Sequence, residues 1–238
     1  MQRFLGDVGA PVVMKPSFGT HGTGVVMDIA TPQDIARSLA TAGATTAKKI
    51  LMEQQVAGTE YRMTATRTQL LAVTLRKPAH IVGDGERTVR ELIDAKNANP
   101  ARQQNPALKD IPIDEQTDGI LARQNSALDA VPGEGETVFL RTNSNISAGG
   151  DSIDFTDKVH AAYRELAPQI VRAIPGLPYA GIDVITPDVE RNPHDVGYFV
   201  IEINASPMIS MHHYPYEGRS RDVAAAVVDE VFALSNNL

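Results

Sequence analysis

The chain contains no cysteine. That single absence excludes disulfides, thiolate nucleophiles and cysteine-based zinc sites. Positive charge is also scarce: 22 Lys and Arg stand against 29 Asp and Glu, a net charge of −7. This is the wrong sign for a protein that coats nucleic acid or an anionic membrane. No apolar run approaches the ~20 residues needed to span a bilayer, and the opening Met1-Gln-Arg-Phe-Leu is not a signal peptide. A cytoplasmic protein without membrane or nucleic-acid partners is expected. Neither a GxGxxG nor a Walker fingerprint is present, and no internal repeat is visible. What remains, 42% apolar and 21% charged residues over 238 positions, suits a globular chain able to bury a substantial core as one domain or two joined lobes.

The most informative segments lie near the C-terminus. Gly181-Ile-Asp-Val-Ile185 and Val200-Ile-Glu-Ile-Asn204 read as buried strands in which single polar side chains interrupt β-branched apolar ones. Glu202 and Asn204 are two apart, so they point the same way. Together with Asp183 they make a set of two carboxylates and an amide that suits Mg²⁺, an ion that commonly arrives bound to nucleotide phosphates. The bland reading is a solvated sheet face; the flanking hydrophobicity and a second signature near the N-terminus weigh against it.

That second signature is Pro11-Val-Val-Met-Lys15-Pro16, a short strand, followed by the glycine-rich turn from Ser17 to Gly24 and another strand, Val25-Val-Met-Asp-Ile29. Lys15 in an apolar strand needs an anion, either a carboxylate of the protein or a ligand phosphate. Backbone N–H groups of the loop (Ser17, Gly19, His21, Gly22, Gly24) can cradle phosphate oxygens. A helix is expected from Thr31-Pro32 through about residue 42, and Lys49-Ile-Leu-Met-Glu53 returns as a strand, which closes a small lobe over residues 1–55. Residues 56–238 form the larger lobe. Glu53, Gln54, Gln55 and Val56 sit where backbone groups could pair with an adenine edge, and Glu60 where a carboxylate could accept from ribose hydroxyls.

In the larger lobe, strands are expected over 60–66 and 70–75, and a capping box Thr88…Glu91 opens a helix over 89–98. Residues 99–134 are polar, with at most one short helix around 121–128. A strand over 137–141 ends at Arg141, whose guanidinium suits an oxyanion. Helices are expected within 157–174 and from about 221 to 234. Strands and helices mix without strict βαβ alternation, so the class is α+β. His212 and His213 follow the Glu/Asn strand; on an extended segment they would face opposite ways, so at most one joins a site.

The ordered set Pro11–Pro16, His21-Gly22-Thr-Gly24, Gly58-Thr-Glu60-Tyr-Arg62, Gly181-Ile-Asp183 and Glu202-Ile-Asn204 resembles the ATP-grasp ligases. Pro78-Ala-His-Ile-Val-Gly-Asp-Gly85 with Thr88-Val-Arg-Glu-Leu92, and Asn145-Ile-Ser-Ala-Gly-Gly150, are similar to the ATP-grasp region of cyanophycin synthetase and to the glutathione-synthetase half of bifunctional glutathione synthetases. The resemblance implies two α+β lobes with mainly antiparallel sheets enclosing a nucleotide cleft. It also implies a magnesium- and ATP-dependent reaction that joins a carboxylate to an amine through an acyl phosphate, on an amino acid or small peptide. Lys15 would hold phosphates, Glu53 to Val56 would frame adenine and Glu60 would bind ribose. Asp183, Glu202 and Asn204 would bind Mg²⁺, and Arg141 with Asn145 would serve the reacting centre.

Three departures accompany the resemblance. Only about ten residues precede the lysine strand, where such ligases carry a further domain, so an excised domain, a separate partner domain or a homo-oligomer is expected. Ala205-Ser-Pro-Met208 stands where many relatives have Pro-Gly, and Asn143 replaces the arginine of the branch that modifies a ribosomal protein. Alternatives to a ligase are an ATP-binding module without independent catalysis and a kinase-like phosphotransferase.

Overall fold

The computed structural model describes residues 1–17, 24–43 and 49–235. Two compact units divide it, residues 1–57 and 58–238.

In the first unit, helix α1 (Gln2–Val8) precedes strand β1 (Val12–Pro16), β2 (Val26–Ile29), helix α2 (Pro32–Gly43) and β3 (Ile50–Gln54). The strands form an antiparallel sheet in the order β2-β1-β3. Alternation along β1 sends Val12 and Met14 into a core with Ile29 and Ile35 and leaves Val13 and Lys15 on the opposite face. Helix α1 is absent from the sequence expectations. Only its Leu5 and Val8 touch this core, too few apolar positions to show a helical period.

The second unit begins with the hairpin β4 (Thr59–Thr66) and β5 (Leu70–Lys77). A smaller part follows: β6 (His80–Val82), α3 (Val89–Asn97), α4 (Pro100–Gln103), α5 (Glu115–Arg123) and β7 (Thr137–Phe139). The chain then returns through a 3₁₀ turn at Ile146–Ala148 to β8 (Asp151–Asp154), α6 (Ala161–Arg172), β9 (Tyr179–Thr186), α7 (Pro193–Val196), β10 (Phe199–Asn204), α8 (Ser210–His213) and α9 (Val223–Ser235). The main sheet is antiparallel with the order β10-β9-β4-β5-β8. One face is apolar. Tyr61, Met63, Ala65, Val73, Ala180, Ile182 and Val184 pack there on Tyr163, Ala167 and Val171 of α6, and each fully buried side chain of the larger kinds contributes ~1.5–3 kcal/mol. The alternate residues of the same strands therefore all point to the second face. Strands β6 and β7 pair separately and share a core with α3 and α5 through Ile81, Val89, Leu92, Ile93, Leu121 and Val138.

Helix α3 starts at the Thr88…Glu91 capping box read from the sequence. The helix expected around 121–128 instead spans Glu115–Arg123. A second capping box fixes its start, with the Asp114 side chain on the Thr117 N–H and the Thr117 side chain returning to Asp114, and Asn125 at φ 53 turns the chain away soon after its end. The Asp-x-x-Thr spacing was available in the sequence but lacked the Glu or Gln that marks the usual box. Helix α4 is likewise set by Asn99, whose side chain accepts from the Ala101 N–H.

Gly149 closes the 3₁₀ turn at φ 89, and a Cβ placed there would meet the Ile111 Cα at 2.8 Å. Gly149→Ala should therefore cost ~2–3 kcal/mol of stability, the sum of left-handed strain and a backbone clash. Urea unfolding of the variant measures it.

Candidate functional site

The second face of the main sheet is polar. Register places Glu202 opposite Asp183, Asp183 opposite Arg62, Arg62 opposite Thr74, and Thr74 opposite Asp154. One continuous row thus crosses all five strands. Asn204 is opposite Gly181, one step along on the same face. The three expected metal-binding side chains are brought together on adjacent strands because Ile203, between Glu202 and Asn204, packs toward the apolar core instead.

A chain of buried charges occupies the centre. Arg62 Nε donates to Asp183 Oδ1 and Arg62 Nη2 to Oδ2 at 2.9 Å, a two-point pairing. Arg76 Nη2 reaches the same Asp183 at 3.1 Å and also pairs with Glu60. Glu60 in turn accepts from the Ser144 hydroxyl. Arg76 thereby links Glu60, expected at ribose, to Asp183, expected at the metal. Its Nε is buried and has no hydrogen-bond partner, a deficit worth ~1–3 kcal/mol that an added acceptor would relieve. Neither arginine was singled out as a site residue from sequence. The available signal was the one used for Lys15, a cation among the apolar residues of a strand.

In the first unit, Lys15 Nζ pairs with Glu53 at 2.5 Å. Val13 is opposite Glu53 and Lys15 opposite Leu51, so the two charges are diagonal neighbours on one face. Glu53 is thus a protein carboxylate of the kind the sequence allows as an anion for Lys15. Gln55 exchanges hydrogen bonds with Asp28, its Oε1 accepting from the Asp28 N–H and its Nε2 donating to Oδ1, both at 2.8 Å. This holds Asp28 in a left-handed backbone conformation at φ 60. Gln54 ends β3, and Val56 follows as a half-buried residue. Ser17 donates its backbone N–H to Lys49 O, and Gly24 has φ 76. Gly19, His21 and Gly22 lie outside the described residues.

Arg141 is buried, and both its terminal nitrogens are engaged within the protein. Nη1 donates to the Thr117 hydroxyl and Leu140 carbonyl, Nη2 to Asp114 at 2.7 Å. Burial pushes the Asp114 carboxyl up, but the Thr117 N–H and the Arg141 charge outweigh that and hold it below the usual range. Asn145 accepts at its carbonyl from Ala148 and Gly150, which shapes the turn that carries Ser144 to Glu60.

Of the histidine pair, His212 is buried and His213 half-buried. His212 Nε2 bonds the Thr64 hydroxyl at 2.7 Å and Nδ1 the Thr74 hydroxyl at 2.8 Å. Burial first, then the nearby Arg62 charge, pushes its pKa down to about 3, so the ring is neutral.

Among the described residues no three His, Cys, Asp or Glu side chains converge on a point. The candidate cation set is two carboxylates plus an amide, and its chemistry fits Mg²⁺. Glu202 is exposed, and its side chain enters no ion pair or hydrogen bond among the described residues. Asn204 Nδ2 is buried and unpartnered. Asp183 is held by two arginines at Oδ2 and by one at Oδ1, which keeps a second lone pair.

No family model matches the chain. It is similar to cyanophycin synthetase of Crocosphaera subtropica, 37% identical over 237 residues that cover 98% of this chain and 27% of that protein. It is also similar to the glutathione biosynthesis bifunctional protein GshAB of Mannheimia succiniciproducens, 38% identical over 231 residues, 94% of this chain and 30% of that one. The crystal structure of a bifunctional glutathione synthetase from Pasteurella multocida superposes with a TM-score of 0.67 at 35% identity, covering 97% of this chain and 32% of that one. D-alanine–D-alanine ligase from Bacillus anthracis shares the fold at a TM-score of 0.51 and 13% identity, over 99% of this chain and 57% of that one. The chain thus spans 27–30% of the length of these curated relatives. No helix among the described residues is long and apolar enough to cross a membrane.

Proposed function

We propose that this chain is an ATP-grasp carboxylate–amine ligase that uses ATP and Mg²⁺ to join an amino acid or small peptide to an amine, a reading supported by its similarity over nearly its whole length to cyanophycin synthetase, GshAB and a bifunctional glutathione synthetase. The observation that carries this reading is the polar row, in which Glu202 stands unpartnered beside Asp183 and Asn204. In the reaction, a substrate carboxylate oxygen attacks the γ-phosphorus of ATP, giving an acyl phosphate and ADP. An amine nitrogen then attacks the acyl carbon, phosphate leaves, and the amine loses a proton, so that one amide, one ADP and one phosphate are formed. Such phosphoryl transfer asks a protein for positioning and charge neutralisation more than for covalent help.

Each role falls to a group described above. Lys15 would exchange Glu53 for the nucleotide phosphates. Residues 53–56 would frame the adenine, and Glu60 would accept from the ribose. Asp183, Glu202 and Asn204 would hold Mg²⁺, which, when bound, neutralises phosphate charge. Arg76, with its unpartnered Nε, would bind the transferred phosphoryl group or the acyl phosphate. Arg141 would assist by releasing the half-exposed Asp114.

Hydroxylamine tests the reading. ATP, Mg²⁺ and a panel of amino acids should yield a hydroxamate, since an acyl phosphate is trapped that way and a stable kinase product is not. The Lys15→Gln variant should bind ATP ~10-fold or more weakly, the loss of one charge-assisted contact. The engagement of both terminal nitrogens of Arg141 within the protein favours one second reading, an ATP-binding module without turnover, for which calorimetry would show ATP binding and no hydroxamate would form.

A further inference from the structure

Each carboxylate oxygen of Glu60 receives one donor from within the protein. Arg76 Nη2 pairs with Oε1, and the Ser144 hydroxyl donates to Oε2. A carboxylate offers about four lone-pair sites, so each oxygen keeps one open. The Glu60 side chain is 28% exposed, which leaves those sites within reach of a ligand. Arg76 alone already neutralises the charge. What Ser144 adds is orientation: the terminal torsion of a glutamate is broad, and a donor on the second oxygen sets the plane of the group.

Ser144 is itself firmly mounted. It is 7% exposed, and Glu60 is the one partner of its hydroxyl among the described residues. Asn143 Oδ1 accepts from the Asn145 N–H at 3.2 Å, and Ile146 is buried with Leu108 and Met211. Gly150 lies so close to β5 that an added Cβ would meet the Lys77 carbonyl oxygen at 2.9 Å. Lys77 follows Arg76 in β5, so the turn that carries one donor packs on the strand that carries the other. The segment Asn145–Gly150, singled out in the sequence, supplies this mount.

We propose that Ser144 is a positioning residue for nucleotide recognition. Together with Arg76 it fixes the Glu60 carboxylate so that the two open lone pairs accept from the neighbouring 2′ and 3′ hydroxyls of a ribonucleotide. The inference rests on the reading above in which Glu60 meets the ribose.

Calorimetry with Mg²⁺ and either ATP or 2′,3′-dideoxy-ATP tests it without requiring turnover. The wild-type 238-residue chain should bind ATP about tenfold or more tightly than the dideoxy nucleotide, because unmet acceptors are costly. Ser144→Ala should weaken ATP about tenfold and dideoxy-ATP by no more than about twofold. Ser144→Thr, which keeps the hydroxyl, should keep the wild-type ratio. Equal weakening of both nucleotides by Ser144→Ala, an unchanged ratio, or a ratio lost equally in Ser144→Thr overturns the proposal. Glu60→Gln identifies which idea has failed. If it collapses the ratio while Ser144→Ala does not, only the role of Ser144 falls. If it leaves the ratio at the wild-type value, Glu60 does not meet the ribose, and the inference falls with that assignment.

Discussion

Replacing Glu202 with Gln is expected to cut ATP-dependent turnover ~100-fold or more while leaving the urea midpoint unchanged. The Glu202 side chain is exposed and unpaired, and substitutions of that kind fall within about ±0.5 kcal/mol. Asp183→Asn should behave differently although it removes the same charge. Its carboxylate neutralises Arg62 and Arg76 inside the protein, so the substitution strands the buried Arg62 guanidinium, leaves Arg76 to Glu60 alone, and should cost ~3–5 kcal/mol in addition to activity. If Glu202→Gln retained full turnover, Glu202 would not hold the metal. If Asp183→Asn were as stable as wild type, the paired guanidiniums would not depend on it. The comparison uses urea unfolding and phosphate release on the same preparations.

A second large effect is acid lability that sets in above the carboxylate range. In the unfolded chain a histidine titrates near 6.5. In the folded chain His212 stays neutral to about 3, because of burial and then Arg62, with Asp154 opposing and His213 reinforcing the shift. His80 stays neutral to about 4, because of burial and then Lys96, with Asp151 opposing and Lys77 reinforcing. Both folded pKa values are depressed, so the stabilisation is complete above pH 6.5 and is lost as pH falls toward 4 and 3. Over that window each histidine should remove ~1.4 kcal/mol per pH unit. Urea midpoints at pH 7.5, 6 and 5 read the slope, and His80→Gln should roughly halve it. A flat profile would mean that these rings are already accessible to protons.

How much of this was legible in the sequence depends on whether the signal was local. Strands β4, β5, β9 and β10 follow from alternation alone, and α3 from its capping box. That Asp183, Glu202 and Asn204 share one face was legible because Glu202 and Asn204 are two apart, and Asp183 shows the same polar interruption in its own strand. What was not legible was pairing between distant segments. That Arg62, 121 residues before Asp183, would lie opposite it is set by the order β9-β4-β5, which no local pattern encodes. The same holds for Arg141, a sequence candidate for oxyanion binding whose terminal nitrogens turn to Asp114 and Thr117. The burial of His212 depended on where the segment after β10 crosses the sheet, and the extended segment expected to carry both histidines is instead the short helix α8. Helix α1 was missed for want of apolar positions, and α5 was misplaced because its cap used Thr where Glu or Gln is usual.

The nature of the products bears most directly on the whole account. Phosphorus NMR of the chain with ATP, Mg²⁺, a carboxylate and an amine should show ADP and inorganic phosphate rising one to one, and only with both substrates present. Release of AMP and pyrophosphate, or ADP that forms equally well without the carboxylate, would contradict it.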